Sequence, residues 1–194
     1  MPGSIGVKKI NIAVFLSGTG SNFKNLIKHS KKKKSKFKIS LAISDKSKAR
    51  GLHYAYKYKI NKKTVNYLNI KNSEKNILTE LKKNKIDIIC LAGFMKILSN
   101  NFIKKFKGKI INIHPSLLPK YKGLNTHQRA INNNEKFAGC TVHHVNSKLD
   151  SGKIILQKKV KILKTDTSSK LAKRVLKQEH ILYPKALKKI LSTL

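Results

Sequence analysis

Several segments of the chain hold short, nearly continuous runs of apolar residues instead of alternating apolar and polar ones. Runs of this length that are rich in isoleucine, leucine and valine are typical of strands covered on both faces of a sheet. They therefore predict a buried sheet whose strands run parallel. Four segments predicted as strands cover residues 10–16, 37–44, 86–91 and 109–113.

The segments between these runs contain helical spacing or turn residues. An apolar stripe predicts a helix over residues 46–58, and Ser73 is predicted as the N-cap of a helix that ends near Asn84. A short third strand is expected over residues 63–67, and a short helix over residues 99–105. Strands that alternate with helices at this spacing indicate βαβ units, so the predicted fold class is α/β with a doubly wound, mostly parallel sheet.

The C-terminal part of the chain has a different pattern. After a predicted helix over residues 126–132, residues 137–146 and 153–160 alternate as two strands joined by a loop. These two strands are consistent with an antiparallel extension of the sheet. Residues 167–191 are predicted as one or two helices, interrupted near Pro184 because proline cannot donate the backbone hydrogen bond of a helix interior.

The length of the chain indicates one domain. With 194 residues, we expect residues 10–194 to share one core and residues 1–9 to be a flexible N-terminus or a cloning remnant. No stretch approaches the roughly 20 apolar residues of a membrane-spanning helix, and the start of the chain lacks a signal-peptide core. Cys90 and Cys140 lie in apolar runs, which favours reduced core residues over a disulfide or a metal site. We therefore predict a cytoplasmic protein without membrane contact.

The formal charge of +36 raises the question of a nucleic-acid partner. Only three of the 44 basic residues are arginine, the side chain best suited to phosphates and base edges. The lysines are spread over strands, helices and loops instead of forming one patch. We therefore expect no specific nucleic acid, while a nucleic-acid-binding module stays open as an alternative. The positive field also favours anionic substrates.

Two side chains suited to catalysis stand at the end of the fourth apolar run. Asn112 and His114 are two residues apart, so in an extended strand they point to the same face. Pro115 favours an extended backbone at His114, and Pro119 restricts the chain again four residues later. Open α/β sheets usually bind ligands at the carboxyl ends of their strands. This pair is therefore the first candidate for a catalytic site.

A glycine-containing turn follows the first apolar run. Residues 17–22 (SGTGSN) separate that run from a helical pattern that begins at Phe23. Glycines allow the backbone to approach an anion, and the free N–H groups at a helix start attract it. The segment matches neither the Walker pattern nor the dinucleotide fingerprint. Its residues alone are equally compatible with a phosphate site and with a structural turn.

Few acidic or histidine side chains are available to assist Asn112 and His114. Asp150 is one of eight acidic residues and lies in a loop, where it is either a catalytic partner or a turn residue. Glu179 lies in the last helix and is either a ligand-binding or a solvated residue. His143 and His144 are adjacent on a strand and face opposite ways. At most one of them could join His114 and Asp150 in a metal site, and that alternative stays open.

Six motifs stand out along the chain: residues 112–119 (NIHPSLLP), 120–127 (KYKGLNTH), 17–22, 91–98, 149–152 and 178–180. Together they resemble the signature of the glycinamide ribonucleotide formyltransferases, which are folate-dependent enzymes of purine synthesis. The resemblance implies a Rossmann-like formyltransferase fold. It also implies transfer of a formyl group from 10-formyltetrahydrofolate to the amine of glycinamide ribonucleotide, by direct attack through a tetrahedral intermediate. Small-molecule partners, a monomer or homodimer, and no metal or redox cofactor follow from the same resemblance.

The resemblance assigns roles to particular residues. It implies a catalytic trio of Asn112, His114 and Asp150, and it implies that Glu179 binds the ribose hydroxyls. Our hypothesis is that Asn112 and a protonated His114 donate hydrogen bonds to the oxyanion of the adduct, while Asp150 keeps the imidazole charged. The implied ligands of the ribonucleotide phosphate are Gly18, Thr19, Gly20, Ser21 and Asn22. The implied folate-binding residues are Phe94, Met95, Lys96, Ile97, Leu98, Val145 and Asn146.

Two positions depart from the family's pattern. Residues 66–74 (NYLNIKNSE) offer only Lys71 where the family often places an arginine near the glutamate tail of the folate, which leaves tail binding in doubt. His144 follows His143 where an apolar aromatic residue is commoner.

Other formyl-folate enzymes are alternatives. A methionyl-tRNA formyltransferase or a formyltetrahydrofolate hydrolase shares an Asn-x-His-like segment and the later aspartate. Residues 17–22 and 120–127 favour the ribonucleotide enzyme over the tRNA enzyme. The hydrolase would be expected to carry an additional regulatory domain.

Overall fold

Seven strands form one sheet in the computed structural model, which describes residues 9–193. In chain order the strands are β1 (Ile10–Leu16), β2 (Phe37–Ser44), β3 (Asn61–Thr64), β4 (Ile88–Leu91), β5 (Lys109–His114), β6 (Phe137–His144) and β7 (Ile154–Lys161). Their order across the sheet is β3-β2-β1-β4-β5-β6-β7. Strands β1 to β5 pair in parallel, whereas β6 is antiparallel to β5 and β7 is antiparallel to β6. The predicted fold class and its antiparallel C-terminal extension are confirmed.

Helices cover both faces of the sheet, which explains the continuous apolar runs. Ile12 and Val14 of β1 belong to one core cluster, and Ala13 and Phe15 belong to the other. Because successive side chains of a strand point to opposite faces, β1 must be apolar at every central position. The helices are α1 (Ser21–Ser30), α2 (Leu52–Lys57), α3 (Ile70–Lys83), α4 (Asn100–Lys105), α5 (Thr126–Asn132) and α6 (Ser168–Leu191).

The second helix is shorter than its sequence pattern predicts. The prediction of a helix over residues 46–58 is wrong for the first six of these residues, because α2 begins at Leu52. Gly51 packs against the turn after β1: its N–H donates to the carbonyl of Gly18 at 2.9 Å. A Cβ at position 51 would lie 2.9 Å from the Cα of Gly20. This long-range contact fixes the backbone before the helix can begin.

Two other predicted boundaries also shift. The third strand covers Asn61–Thr64 instead of residues 63–67, because β2 offers it partners only from Leu41 to Ser44. Ser73 is not an N-cap. Helix α3 begins one turn earlier, where the side chain of Asn69 accepts a hydrogen bond from the N–H of Asn72.

The last helix is continuous through Pro184. Proline has no N–H for the carbonyl of the residue four positions earlier, which is His180. The Nδ2 atom of Asn25 in α1 donates to that carbonyl at 2.6 Å, so the unpaired group finds a partner in another helix. The predicted interruption near Pro184 is therefore wrong, because a tertiary hydrogen bond replaces the missing helical one.

Three other expectations can be compared with the described residues. Cys90 and Cys140 are free and buried, as predicted, and burial raises the pKa of each thiol to about 12. No described helix is both long and apolar enough to span a bilayer. The predicted flexible N-terminus lies outside the described residues except for Lys9.

Candidate active site

The candidate site lies where the order of the strands reverses. β1 is flanked by β2 and β4, so loops that leave β1 and β4 diverge to opposite sides of the sheet. Such a point is the usual ligand-binding crevice of an open α/β sheet. The turn after β1, the segment after β4 and the end of β5 all meet this edge. The antiparallel β6 adds His143, which stands directly opposite Asn112 in the register.

Asp150 connects Asn112 and His114. Its Oδ2 atom lies 3.4 Å from Nδ1 of His114, and its Oδ1 atom accepts a hydrogen bond from Nδ2 of Asn112 at 3.5 Å. The side chains of His114 and Asp150 are only 7% and 8% exposed. The structure thus brings together the three residues that the sequence proposed as a trio.

The backbone of one loop holds two members of this trio. The carbonyl of Tyr121 lies 2.9 Å from Nε2 of His114, and since a carbonyl only accepts, Nε2 carries the hydrogen. The N–H of Gly123 donates to Oδ2 of Asp150 at 2.9 Å. Sequence reasoning missed both contacts. The glycine at position 123 was a local sign of a turn, and its φ is 76°.

The electrostatics of the trio favour a neutral histidine beside a charged aspartate. Burial lowers the pKa of His114 below its ordinary value, although the hydrogen bond to Tyr121 and the charge of Asp150 act in the opposite direction. Burial alone would raise the pKa of Asp150, but the neighbouring His143 and the hydrogen bond from the Gly123 N–H lower it overall. A lowered pKa favours the uncharged form of His114 in the free protein.

His143 completes the hydrogen-bond network around Asn112. Its Nδ1 donates to the carbonyl of His144 at 2.8 Å, so its Nε2 is free to accept from Nδ2 of Asn112 at 3.2 Å. The same Nε2 lies 3.6 Å from Oδ1 of Asp150. Within residues 9–193, no group of three or more His, Cys, Asp or Glu side chains is placed to hold a metal ion.

The glycine turn after β1 brings two of the predicted binding residues together. Gly20 precedes α1 with φ of 72°, and a Cβ there would lie 2.6 Å from the Cα of Gly51. Only glycine fits this left-handed, closely packed position. Asn22, in the first turn of α1, donates from Nδ2 to Oε2 of Glu179 at 2.6 Å. The predicted phosphate loop and the predicted ribose-binding acid are therefore neighbours.

The buried pair of Asn22 and Glu179 can accept further hydrogen bonds. Burial raises the pKa of Glu179, and the hydrogen bond from Asn22 only partly offsets this. Oδ1 of Asn22 is buried and has no partner among the described residues. A buried acceptor without a partner is costly in a finished core, so this pair is suited to receive donors from a ligand.

The predicted folate-binding residues divide into buried and exposed ones. Phe94 and Leu98 belong to the core, where Phe94 packs edge-on against the rings of Phe15 and Tyr67. Their side chains do not line an open surface. The N–H of Met95 donates to the hydroxyl of Ser17, which ties this segment to the turn after β1. The residues of the predicted set that present exposed side chains are Met95, Lys96, Ile97 and Asn146, and Val145 is half-buried.

Comparison with known proteins identifies the class. The family model described as formyl transferase matches residues 10–187, so the chain belongs to the formyl transferase family. A solved phosphoribosylglycinamide formyltransferase from Brucella melitensis superposes with a TM-score of 0.89 at 44% identity, over 94% of this chain and 96% of that chain. The corresponding enzyme from Anaplasma phagocytophilum superposes with a TM-score of 0.89 at 43% identity, over 94% of this chain and 87% of that chain. Within the family, the chain thus groups with the phosphoribosylglycinamide formyltransferases, as its motifs predicted.

Curated relatives agree but differ in length. The human trifunctional purine biosynthetic protein adenosine-3 is 42% identical over 188 residues, which are 95% of this chain and 19% of the human protein. The phosphoribosylglycinamide formyltransferase of Escherichia coli K12 is 43% identical over 111 residues, 57% of this chain and 52% of that enzyme. The matches therefore span about a fifth of the trifunctional protein and about half of the bacterial enzyme.

Proposed function

We propose that this chain transfers a formyl group from 10-formyltetrahydrofolate to the amine of glycinamide ribonucleotide, a step of purine synthesis. The observation that carries the proposal is the carboxylate of Asp150 between the amide of Asn112 and the imidazole of His114, at the carboxyl end of β5. These are the groups that acyl transfer requires: a donor for an oxyanion and a base for the amine.

The ribonucleotide is proposed to lie along the turn after β1. Its phosphate would meet the backbone N–H groups of residues 18–22 at the start of α1, where the helix dipole favours an anion. Its ribose hydroxyls would donate to Glu179, which already accepts from Asn22 at 2.6 Å. The high positive charge of the chain assists the capture of such an anion.

The folate is proposed to lie between the segment after β4 and the loop after β6. Met95 and Ile97 offer exposed apolar surface, with side chains 59% and 69% exposed. Val145 and Asn146 stand at the start of the opposing loop, which ends at Asp150. This arrangement supports contact between the cosubstrate and the trio. No residue of this site is proposed to hold a metal.

The first chemical step is attack of the neutral amine on the formyl carbon. Negative charge then develops on the formyl oxygen, and Nδ2 of Asn112 is the proposed donor. Its 3.5 Å hydrogen bond to Asp150 is long, so an oxyanion can take its place at small cost. One well-placed donor to an oxyanion stabilises the transition state by roughly 3–4 kcal/mol.

The proton of the attacking amine is proposed to pass to Nδ1 of His114. In the uncharged imidazole this nitrogen carries the lone pair, because Nε2–H is directed to the carbonyl of Tyr121. Asp150, 3.4 Å away, then stabilises the imidazolium that forms. The imidazolium returns the proton to the departing folate nitrogen, directly or through water. His114 therefore acts as a shuttle that is charged only during the reaction.

A steady-state assay with omitted substrates tests the proposal. With both substrates, we expect turnover that depends on each of them. Folate consumption without the ribonucleotide would indicate a hydrolase, and transfer to methionyl-tRNA would indicate the tRNA enzyme. The proposed cytoplasmic location is tested separately by fractionation of the source cells.

A further inference from the structure

The loop that holds His114 and Asp150 is conformationally demanding. Tyr121 and Gly123 supply the two backbone contacts, and Tyr121 and Asn125 both have positive φ, at 58° and 57°. Non-glycine residues in this region cost free energy and persist only where the surroundings fix them. Something outside the trio must therefore hold this loop in place.

The loop borders a cavity of about 540 Å³. The lining residues include Phe137, which is 46% exposed. Tyr121 itself is half-buried and packs against the core, so polar contacts at the tip of its side chain add to that packing. The cavity is lined by, among others, Pro115, Pro119, Tyr121, Glu135, Phe137 and Lys159.

Glu135, just after α5, provides the most direct of these contacts. Its Oε1 atom accepts from the hydroxyl of Tyr121 at 2.9 Å and from Nζ of Lys120 at 2.8 Å. Nδ2 of Asn133 also reaches the Tyr121 hydroxyl, at 3.0 Å. The guanidinium of Arg129 lies 5.3 Å from the centre of the Tyr121 ring. The side chain of Tyr121 is thus held at its tip and on its face by residues of α5 and the segment after it.

We propose that Glu135 is a positioning residue for the reaction. By holding the hydroxyl of Tyr121, it fixes the carbonyl of the same residue against Nε2 of His114. That carbonyl determines which ring nitrogen carries the hydrogen, and so leaves Nδ1 facing Asp150. Glu135 has no hydrogen bond to any member of the trio and acts only through Tyr121. The expected loss of kcat rests on the proposed function, whereas the expected change in the tautomer of His114 does not.

The test combines kinetics with the tautomer of His114, read from imidazole nitrogen shifts by NMR. We expect Glu135→Ala to lower kcat roughly ten- to a hundredfold, with smaller changes in KM, because the misplaced group acts in the transition state. We also expect its His114 to lose the single Nε2–H tautomer of the parent chain. Tyr121→Phe, which removes only the hydroxyl, should reproduce both effects. The double variant should be no worse, because the two residues form one contact.

Two further variants separate positioning from general damage. Glu135→Gln keeps an acceptor for the Tyr121 hydroxyl, so we expect kcat to stay within about threefold of the parent. Glu80→Ala removes a similar glutamate whose ion pair with Lys63 is 3.8 Å long, and we expect no effect on either readout. If Glu135→Ala does not fold, Tyr121→Phe alone decides.

The outcomes are distinguishable. Parental kcat and an unchanged His114 tautomer in a folded Glu135→Ala or Tyr121→Phe variant would overturn the positioning role. An inactive parent chain would overturn the proposed function instead. In that case the tautomer comparison would still decide whether Glu135 orients His114.

Discussion

Asp150→Asn removes one negative charge from the trio with little change of shape. Asp150 has φ of 46°, and asparagine tolerates this left-handed backbone better than most side chains do. The amide oxygen can still accept from the N–H of Gly123, as the carboxylate does at 2.9 Å. We therefore expect a folded variant whose defect is chemical.

The size of the defect follows from the separation of the two charges. At 3.4 Å and an effective dielectric constant of about 20, an imidazolium and a carboxylate attract by roughly 5 kcal/mol. This is an upper limit, because the imidazolium retains its hydrogen bond to Tyr121 and the amide dipole replaces part of the charge. A loss of roughly 3–4 kcal/mol in the transition state lowers kcat by about 10²–10³.

The pH dependence gives a second, independent readout. In the proposed mechanism His114 accepts a proton, so kcat rises as pH increases through the pKa of His114. The charge of Asp150 raises that pKa. Removing the charge therefore lowers it, and the acid limb of the kcat profile should move to lower pH while the plateau falls.

The assay is kcat against pH for the parent chain, Asp150→Asn and Asp87→Asn. Asp87 accepts from the N–H of Asn11 at the start of β1, at the opposite end of the strands, so its variant controls for loss of one charge. A parental plateau together with an unmoved acid limb in Asp150→Asn would refute the role assigned to this carboxylate.

Three further substitutions test other parts of the fold and site. Glu179→Gln removes an acid whose pKa burial raises, so we expect a higher melting temperature at pH 7 together with a KM for the ribonucleotide raised about tenfold or more. Asn25→Ala leaves the carbonyl of His180 without its partner and should lower the free energy of unfolding by about 1–2 kcal/mol in denaturant titrations. Gly20→Ala should lower the melting temperature and weaken ribonucleotide binding, because a Cβ at this left-handed residue meets backbone atoms at 2.6 Å.

Each of these has a control and a contradicting result. The stability gain of Glu179→Gln should shrink below about pH 4, where the parent acid is protonated in both states, and a gain that is constant with pH would contradict its origin. Asn25→Ala should cost less in a Pro184→Ala background, which restores the helical N–H, and equal costs would contradict the capping role. Gly18→Ala, where a Cβ meets nothing within 4 Å, should not lower the melting temperature as Gly20→Ala does.

The sheet was predictable because local sequence carries its signal. Strands covered on both faces are mostly apolar, and β1 and β2 were predicted with the bounds that the structure has. The pair of Asn112 and His114 was accessible for a similar reason, since the side-chain period of a strand places them on one face. Asp150 was added to them by the resemblance to the family.

What the sequence did not reveal depends on contacts between distant residues. Gly51 delays α2 because it packs against Gly20, and nothing near Gly51 indicates that neighbour. Asn25 allows α6 to pass through Pro184 from 155 residues away along the chain. A backbone carbonyl such as that of Tyr121 exists at every residue, so its role beside His114 leaves no mark on composition or spacing.

The most direct measurement follows the formyl group itself. The parent chain would be mixed in single turnover with glycinamide ribonucleotide and 10-formyltetrahydrofolate that carries ¹³C in the formyl group, with His114→Ala in parallel. The proposed function predicts that the label appears as an N-formyl amide of the ribonucleotide, and that transfer is largely lost in the variant. Label released as formate, or transfer at the parental rate in His114→Ala, would contradict it.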